Sequence, residues 1–491
     1  MSAALDAARS ALAGTPAWLV GGAVRDELLG RETADVDLAL DGDTAQAARA
    51  IARAAGRAAS FPLSEEFGSW RVVARDGSWQ LDVEPLRGGA IEADLALRDF
   101  TVNAIAQPLA GGAYVDPLGG AGDLRVGRLR MASASAFDQD PLRVLRMVRL
   151  ALELGLEADA ETVRCAGANA RGLGEVSPER VFMELRRILA AREPRRGLEL
   201  MSSLGATAVV LPELEELRGV QQSRFHHLDV HGHTLEVLDR TVELTSGTGS
   251  VAVDGPGEVE PAAAAGPVAG ELDACIGARR PAVDRLLAEP LADELTRGDA
   301  LRWGALLHDA AKPLTREVRP VDGRVTFIGH DARGAELARA VLERLRASER
   351  LRAHVAALVR HHLRLGFLVH EPQPLARRTV FTYLHACSPV EVDVTLLSVA
   401  DRLATRGDRA REAVQAHLAL ASAMLDDALR WRTGGPPAPP LRGDELAREL
   451  GITTGPRIGE LLEELAAAQY AGEIATREQA LDRARALLRL P

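Results

Sequence analysis

The sequence predicts an α+β protein of several domains, in which a β-sheet head is followed by mostly helical units. Three observations lead to this prediction. At 491 residues the chain is too long for a single hydrophobic core. Its composition, 47% hydrophobic and 26% charged with only 3% aromatic residues, is typical of a globular and largely helical protein. The strongest strand patterns all lie in the first quarter of the chain.

Charge and cysteine content exclude several classes of protein. A net charge of -11 argues against a surface that is coated by nucleic acid, although it is compatible with a local basic groove. The three cysteines lie far apart and form no CxxC motif, so neither a disulfide framework nor a zinc ribbon is expected. No apolar run approaches the roughly 18 to 20 residues of a membrane span. We therefore expect a soluble cytoplasmic protein.

The head is predicted over residues 1–136. Its strands are four short runs rich in β-forming residues, separated by turn residues or by Ala/Arg segments of helical character: AWLVGG, ADVDLAL, WRVVAR and WQLDVEPL. From about residue 137 the pattern becomes helical. A helical neck is predicted over 137–215, where one helix has Ser177 as its N-cap and Pro178 at its first position.

Composition divides the remainder of the chain. A helical, histidine-containing domain is predicted over 216–431, with a mobile insertion rich in Gly, Pro and Ala at 246–270. The stretch 432–443, RTGGPPAPPLRG, is interpreted as an interdomain linker, and a short charged helical tail follows over 444–491.

Paired carboxylates in an apolar run form the first candidate site. Asp35 and Asp37 are two residues apart in a predicted strand, so their side chains share a face and are able to ligate divalent ions such as Mg²⁺. Asp82 provides a third carboxylate on a plausible neighbouring strand. Upstream, the Gly21–Gly22 turn leads into a predicted helix whose N–H groups suit a triphosphate, to which Arg25 adds charge. By itself the DxD pattern is also compatible with the acidic edge of a surface strand.

The order of five motifs narrows these alternatives. The run GGAVRD…DVDLAL resembles the opening motif of the family that contains bacterial tRNA nucleotidyltransferases and poly(A) polymerases. The resemblance continues through RDFTVNAIA, VDPLGGAGDL, DQDPLRVLRMVRLA and SPERVFMELRRIL at 98–106, 115–124, 138–151 and 177–189. It implies transfer of nucleotides to RNA 3′ ends, with release of pyrophosphate and Asp35, Asp37 and Asp82 as the catalytic carboxylates.

The fourth motif bears on nucleotide choice. Asp140 and Arg143 are at i, i+3 and are expected to share a helix face. A carboxylate accepts from an exocyclic amine and a guanidinium donates to ring acceptors, a combination that suits C and A. The resemblance implies that this pair selects CTP and ATP, although a surface salt bridge is the alternative. The resemblance also implies a further set of nucleotide-binding residues: Arg98, Asp99, Asn103, Arg146 and Arg149. Alternatively, Asp99 only caps a helix.

A short connection indicates the product. Fifteen residues separate Asp82 from Arg98, where full CCA-adding members of the family usually carry a longer flexible loop. Relatives with a shortened loop tend to add CC and to depend on a separate A-adding enzyme. We therefore expect addition of two cytidines to the tRNA acceptor end, with complete CCA addition left open.

All twelve histidines lie at or after His226. Their order resembles the HD superfamily of metal-dependent phosphohydrolases, which implies ligands at His233, His308, Asp309 and Asp401. His330, with either His361 or His362, would hold a second metal. Mixed nitrogen and oxygen ligands suit Mn²⁺, Mg²⁺, Ni²⁺ or iron better than a thiolate-type zinc site, and Lys312 is expected to contact a phosphate.

Two other functions remain open from the sequence. A poly(A) polymerase shares the head motifs, although the HD module favours tRNA as the substrate. Alternatively, the chain is an HD phosphohydrolase whose head only binds nucleotide or RNA. Arginines clustered at 143–149, 164–187 and 193–196 are expected to follow the phosphates of an acceptor stem by shape rather than by base reading.

Overall fold

The structure is a computed structural model, and it describes residues 2–32, 35–64, 67–222, 226–246, 267–406, 410–438 and 440–489. Most of the predicted insertion at 246–270, namely 247–266, lies outside the described residues. The described chain forms two compact units, which meet in sequence between Pro212 and Glu213. The first unit contains a mixed sheet and helices and the second is mostly helical, which confirms the predicted α+β multidomain class.

A six-stranded sheet forms the centre of the first unit. Its strands are β1 Ala17–Val20, β2 Asp35–Leu40, β3 Ala59–Ser64, β4 Ser69–Val73, β5 Gln80–Pro85 and β6 Ala106–Pro108. They lie in the order β3-β4-β5-β2-β1-β6. The pair β2–β5 is parallel, whereas the other neighbouring strands are antiparallel. The acidic strands β2 and β5 are therefore adjacent at the centre of the sheet.

Helices surround this sheet and continue into the predicted neck. They are α1 Ser2–Ala11, α2 Gly22–Leu28, α3 Thr44–Ala54, α4 Ile91–Ala96, α5 Gly120–Arg125, α6 Ala136–Gln139, α7 Arg143–Leu154, α8 Ala160–Asn169, α9 Pro178–Ala190, α10 Pro194–Ser203 and α11 Thr207–Val210. Short 3₁₀ turns lie at Arg87–Gly89, Thr101–Asn103 and Ala170–Glu175, and a small parallel pair joins β7 Arg128–Leu129 to β8 Glu157–Ala158.

Local sequence explains where individual helices begin. The side chain of Asp43 accepts a hydrogen bond from the Gln46 backbone N–H at 2.9 Å, which caps α3. Pro178 occupies the first turn of α9, as predicted. Ser177 precedes that helix as its N-cap residue but makes no side-chain cap hydrogen bond.

An apolar cluster attaches α4 to the sheet. It contains Val20, Ala39, Ile91, Leu95, Ala104 and Ala106 from β1, β2, α4 and the chain up to β6, each buried. Burial of such side chains contributes roughly 1.5–3 kcal/mol for each of the larger ones. The short helix after β5 is thereby held in a defined position beside the acidic strands.

The second unit is built from helices and three-residue or two-residue strands. Its helices are α12 Pro212–Glu215, which begins at the boundary, α13 Val230–Thr245, α14 Pro267–Ile276, α15 Arg280–Leu287, α16 Arg297–Leu307, α17 His330–Arg344, α18 Glu349–His361, α19 Arg364–Leu368, α20 Arg377–Cys387, α21 Glu391–Leu403, α22 Ala410–Gly434, α23 Gly443–Leu450, α24 Pro456–Tyr470 and α25 Arg477–Leu488. Short 3₁₀ turns lie at Gly277–Arg279 and Pro313–Thr315, and two small antiparallel pairs join β9 Pro290–Ala292 to β10 Leu295–Thr296 and β11 Glu317–Val318 to β12 Val325–Thr326.

Helices α13, α16, α18 and α21 pack against one another and form the centre of this unit. A buried ion pair between Arg297 and Asp393 ties the start of α16 to α21, and Arg297 also donates to the Pro389 carbonyl at 3.1 Å. The His354 ring lies 3.5 Å from the same carboxylate. Loss of one partner would leave a buried charge uncompensated.

The tail packs on the rest of the second unit. Helix α22 extends to Gly434, so Arg432–Gly434 are helical, although these residues were assigned above to the linker. The tail has its own apolar cluster, which includes Leu446, Leu461 and Leu481. Arg378 of α20 pairs with Glu464 and Glu473 of the tail. Among the described helices, none is long and apolar enough to cross a membrane.

Candidate functional site

The parallel register of β2 and β5 brings the predicted carboxylates together. Asp37 lies opposite Asp82 and Asp35 lies opposite Gln80, so the three aspartates share one face of the sheet. Asp82 also accepts two hydrogen bonds from Arg71 of β4, at 2.7 and 2.8 Å. This arginine partly compensates one carboxylate of the group, and nothing in the sequence pattern singled it out.

Asp37 is partly buried within this group of acids. Burial and the negative charges of Glu84, Asp82 and Asp35 raise its pKa to about 6, and the nearby Arg98 opposes the shift. A divalent cation would relieve the repulsion among these crowded carboxylates, and oxygen ligands are those that Mg²⁺ prefers. The residues present therefore fit the metal that the resemblance implies.

A cavity lies beside Asp37, and two of the residues that line it, Glu84 and Arg87, were not predicted from the sequence. Glu84 is two residues after Asp82 on β5, so the same alternation that relates Asp35 to Asp37 would have placed it on this face. No comparable signal existed for Arg87, which follows the strand in a 3₁₀ turn.

Gly21 occupies a position that only glycine tolerates easily. Its φ is 69°, and a Cβ there would lie 3.1 Å from Arg98 Nη1 and 3.2 Å from Asp37 Oδ2. Gly22 then begins α2. Arg25 donates to Asn103 Oδ1 at 2.7 Å and to the adjacent Asp26 at 2.8 Å. The glycine turn, Arg25 and Asn103 are thus brought to the same region as Asp37.

Asp99 holds the second motif against α7. It is buried and accepts from the Phe100 backbone N–H, from Asn103 Nδ2 and from both Nε and Nη2 of Arg146, at 2.6 to 3.0 Å. Although burial alone would raise its pKa, the positive charge of Arg146 and these hydrogen bonds hold it well below the ordinary value. Asp99 is therefore a charged anchor for Arg146.

The third motif, at 115–124, packs against the second motif, at 98–106. Asp116 accepts from the backbone N–H groups of Gly120 and Ala121, and Asp123 accepts from Thr101 Oγ1 at 2.7 Å. At Gly120 a Cβ would lie 2.0 Å from the Thr101 carbonyl oxygen. This close approach of two backbones positions the turn that carries Asn103.

Gly120→Ala is expected to destabilise the protein by at least about 2 kcal/mol, because the new methyl group would displace the Thr101 carbonyl. Thermal unfolding would show a lower midpoint. Gly122→Ala, on the same short helix but with open space around its Cβ position, is the matched control and should unfold like the wild type. Equal midpoints for the two variants would contradict this account.

Asp140 and Arg143 reach the same cavity, but not from one helix face as expected. Asp140 is in extended conformation before Pro141, which disfavours helix at the preceding residue, and α7 begins only at Arg143. Asp140 accepts from Arg180 Nη2 at 2.6 Å. Arg143 donates to the backbone carbonyls of Leu97, Arg98 and Ala136 at 2.9 to 3.3 Å.

Arg149 is the predicted nucleotide contact that the structure places elsewhere. Its side chain is buried between α7 and α9, where it donates to Glu184 at 2.5 Å and to Glu153 at 2.8 Å. It does not line the cavity. One further turn along α7 is enough to carry an arginine from the cavity into the helix interface.

The cavity itself has a volume of about 250 Å³. Its lining combines four acidic and four basic side chains: Asp37, Glu84, Arg87, Arg98, Asp99, Asp140, Arg143 and Arg146. Arginines in such a cavity suit a polyanion, and the carboxylates suit the cation that accompanies it.

A second polar cluster lies within the second unit. The Nδ1 atoms of His308, His330 and His362 lie 2.7 to 2.8 Å from the carbonyl oxygens of Ala305, Phe327 and Val359. Each Nδ1 is placed to donate its proton to a carbonyl, which turns the Nε2 of the same ring toward the cluster, the orientation typical of metal-ligating histidines. The Nε2 atoms of His330 and His362 face each other at 3.2 Å. Two facing lone pairs repel unless a cation or a proton lies between them.

Asp309 connects two groups of ligands. Its Oδ1 lies 3.3 Å from His330 Nε2, and its Oδ2 lies 3.2 Å from His308 Nε2 and 2.7 Å from Lys312 Nζ. His233 Nε2 lies 3.0 Å from Asp401 Oδ1. One group able to hold a metal is His233, His308 and Asp401, and the other is Asp309, His330 and His362.

The structure distinguishes the two histidines that the sequence left open. His362 is buried within the cluster, and burial together with the neighbouring His308 ring lowers its pKa to about 4. It is therefore neutral at pH 7, as a metal ligand must be. His361 is directed elsewhere, where its Nδ1 accepts from Arg364 Nε at 2.8 Å.

Three protein-family profiles match the chain. They are the "Poly A polymerase head domain" at 17–89 and 73–130, the "Probable RNA and SrmB- binding site of polymerase A" at 155–217, and the "HD domain" at 285–406. An A-adding tRNA nucleotidyltransferase of Deinococcus radiodurans is 38% identical over 469 residues, which cover 94% of this chain and 94% of that protein. The chain belongs to the tRNA nucleotidyltransferase family. It is therefore an enzyme of tRNA processing that uses a divalent metal ion.

Other relatives agree with this membership. A CC-adding tRNA nucleotidyltransferase of Thermus thermophilus is 34% identical over 469 residues, covering 94% of this chain and 92% of that protein. Among solved structures, the apo form I of a CCA-adding enzyme has a TM-score of 0.61 at 20% identity and covers 99% of this chain and 94% of that chain. At that identity the similarity establishes the fold. The predicted resemblance to the nucleotidyltransferase and HD families is confirmed.

Proposed function

We propose that this tRNA nucleotidyltransferase transfers cytidylate from CTP to the 3′ end of tRNA and adds two residues. The observation that carries the proposal is the group of Asp35, Asp37 and Asp82 beside a cavity that four arginines line. Carboxylates for a cation and guanidinium groups for a triphosphate are what nucleotidyl transfer requires.

Asp35, Asp37 and Asp82 would hold Mg²⁺ in the head, in agreement with their shared face of the sheet. When bound, this ion supplies positive charge to the attacking 3′ hydroxyl and to the departing pyrophosphate. Arg71 orients Asp82 through its two hydrogen bonds. Gly21 leaves the space beside Asp37 open, because a side chain at that position would enter it.

The base would be read by Asp140 and Arg143. The Asp140 carboxylate accepts from the exocyclic amine of cytosine, and Arg143 donates to its ring nitrogen and carbonyl oxygen. Arg180 holds Asp140 in place. Arg98 and the Asp99–Arg146 pair would contact the phosphates and the ribose, together with Arg25 and Asn103.

The connection between Asp82 and Arg98 supports addition of C rather than full CCA. In the structure it contains the 3₁₀ turn Arg87–Gly89 and α4, and an Arg87–Asp94 ion pair closes it. A segment of this kind lacks the length of a flexible loop that would reshape the site for A. A separate A-adding enzyme would then complete the tRNA end in the cytoplasm.

A second candidate is addition of the terminal A. Its support is the relative from Deinococcus radiodurans, which is named as A-adding and aligns over 94% of this chain.

For either activity, the acceptor end of the tRNA would lie along the arginine-bearing helices α8 to α10, where Arg195 and Arg196 are among the arginines of the predicted cluster.

We further propose that the HD cluster binds Mn²⁺ or Ni²⁺ and hydrolyses phosphate esters at damaged tRNA 3′ ends. The support is the geometry around Asp309, whose two oxygens lie 3.2 Å from His308 Nε2 and 3.3 Å from His330 Nε2, while the Nε2 atoms of His330 and His362 face each other. Lys312, which donates to Gln222 Oε1 at 2.6 Å, would contact the phosphate. Mn²⁺-dependent release of phosphate from a tRNA 3′-phosphate tests this activity, and no release with either metal would reject it.

Three tRNA transcripts, ending before CCA, after C and after CC, test the main proposal with Mg²⁺ and each nucleotide supplied separately. We expect CTP to extend the first two and ATP to extend none. Extension of only the CC end by ATP would show an A-adding enzyme, and completion of CCA with both nucleotides would show the fuller activity. Long A tails would indicate a poly(A) polymerase. If no nucleotide extends any of the three transcripts, nucleotidyl transfer to tRNA is rejected.

A further inference from the structure

A buried carboxylate lies between two arginines of the cavity wall. The Asp94 side chain is 1% exposed. Its Oδ1 accepts from Arg87 Nε at 2.9 Å, and its Oδ2 accepts from Arg98 Nε and Nη2 at 3.1 and 3.0 Å. Although burial favours the protonated form, these two arginines lower the pKa of Asp94 below its ordinary value, so it is charged. One acid thus sets two guanidinium groups side by side.

Both arginines retain donors for the cavity. Within the described part of the chain, Arg87 directs its backbone N–H and its Nε to Asp94, which leaves its two Nη groups available. Arg98 uses Nε and Nη2 for Asp94, whereas its Nη1 lies beside Gly21, as Asp37 Oδ2 does. Both side chains line the cavity. The pair therefore presents N–H groups to the cavity that Asp37 also lines.

The backbone around Asp94 is built for this arrangement. Gly88 has a φ of 71°, and a Cβ there would lie 2.7 Å from the Ala93 Cβ, so the turn after β5 folds closely onto α4. Helix α4 is attached to the sheet through Ile91 and Leu95. Arg87 is consequently held on a rigid element, which reduces the entropy that its side chain loses on binding.

We propose that Arg87 is a further nucleotide-binding residue, which contacts the triphosphate together with Arg98, and that Asp94 is the positioning residue for both. This inference rests on the proposed nucleotidyl transfer and adds to it. The chemistry favours a polyphosphate over a base, because the pair offers several donors while its one acceptor, Asp94, is occupied. A base edge would need a donor and an acceptor together, as Asp140 and Arg143 provide.

Calorimetric binding of inorganic tripolyphosphate to the full chain tests the contact without any base. For Arg87→Gln we expect the Kd for tripolyphosphate and for CTP to rise about tenfold or more, since one charge-assisted contact is lost. The Kd for CMP should change less than about twofold. Arg75→Gln is the matched control, because Arg75 is exposed in the turn at the opposite end of β5. Unchanged tripolyphosphate binding by Arg87→Gln would overturn the proposal.

Asp94→Asn tests positioning, since the amide keeps the size but not the charge. We expect it to weaken tripolyphosphate binding more than Arg87→Gln does, and to raise the KM for CTP more than it lowers kcat. The double variant should resemble Asp94→Asn alone, because the released Arg87 no longer contributes. If Asp94→Asn lowers the unfolding midpoint but leaves tripolyphosphate binding unchanged, Asp94 has a purely structural role and its assignment as a positioning residue is overturned. Wild-type protein that binds tripolyphosphate but never extends tRNA would reject the proposed function while leaving this contact in place.

Discussion

Asp37→Asn is expected to abolish nucleotidyl transfer. Asp37 is the central carboxylate of the group formed by β2 and β5, between Asp35 on its own strand and Asp82 opposite. A neutral amide binds a divalent cation far more weakly than a carboxylate does. Loss of several kcal/mol of charge stabilisation corresponds to a rate at least about a thousandfold lower. Single-turnover extension of a tRNA transcript by CTP measures it.

The same substitution is expected to stabilise the metal-free protein. A carboxyl whose pKa rises from 3.8 to about 6 on folding binds protons more tightly in the folded state. Its destabilising effect is therefore absent at low pH, develops between pH 3.8 and about 6, and amounts to about 3 kcal/mol at pH 7. Asparagine has no such titration, so the unfolding midpoint should rise at pH 7 and should not rise at pH 3.

The control is Asp41→Asn, at an exposed position directly after β2. It should change neither transfer nor unfolding. Retention of activity by Asp37→Asn would show that this carboxylate does not hold the ion. An unfolding midpoint of Asp37→Asn that does not increase at pH 7 would show that the crowded carboxylates do not destabilise the folded protein.

Asp309→Asn is expected to remove metal from the second unit while tRNA extension continues at the wild-type rate. Asp309 lies between the two ligand groups, with one oxygen beside His330 and the other beside His308. Substituting a partner that only supports a ligand already weakens metal binding about 10- to 100-fold. Because Asp309 is itself a ligand and lies between both groups, its substitution should weaken metal binding by more than about a hundredfold. Any phosphohydrolase activity should be lost with the metal.

Metal content per chain, measured after loading with Mn²⁺ and removal of excess ion, gives the readout. His361→Ala is the matched control, since His361 adjoins His362 in sequence but bonds to Arg364 away from the cluster. It should bind metal like the wild type. Equal metal content in Asp309→Asn and the wild type would place the metal elsewhere, and a simultaneous loss of tRNA extension would contradict the independence of the two activities.

Periodicity and motif order determined much of this protein. Alternation along a strand was enough to place Asp35 and Asp37 on one face, and the register of β2 and β5 agrees with the choice of Asp82. The order of His233, His308, Asp309 and Asp401 indicated the HD domain, which the family profile confirms. Strand alternation is local and motif order depends only on position along the chain, so both can be recognised without knowledge of the packing.

Tertiary structure decided how distant segments pair. Helix periodicity could not show that Arg149 turns to Glu184 while Arg146 turns to Asp99. Adjacent histidines look alike in sequence, but only His362 is directed into the cluster. The Arg87–Asp94–Arg98 arrangement depends on the close approach of a turn to α4. A charged side chain bonds to whichever partner packing brings within about 3 Å, and packing is a property of the whole unit rather than of the residues nearby in sequence.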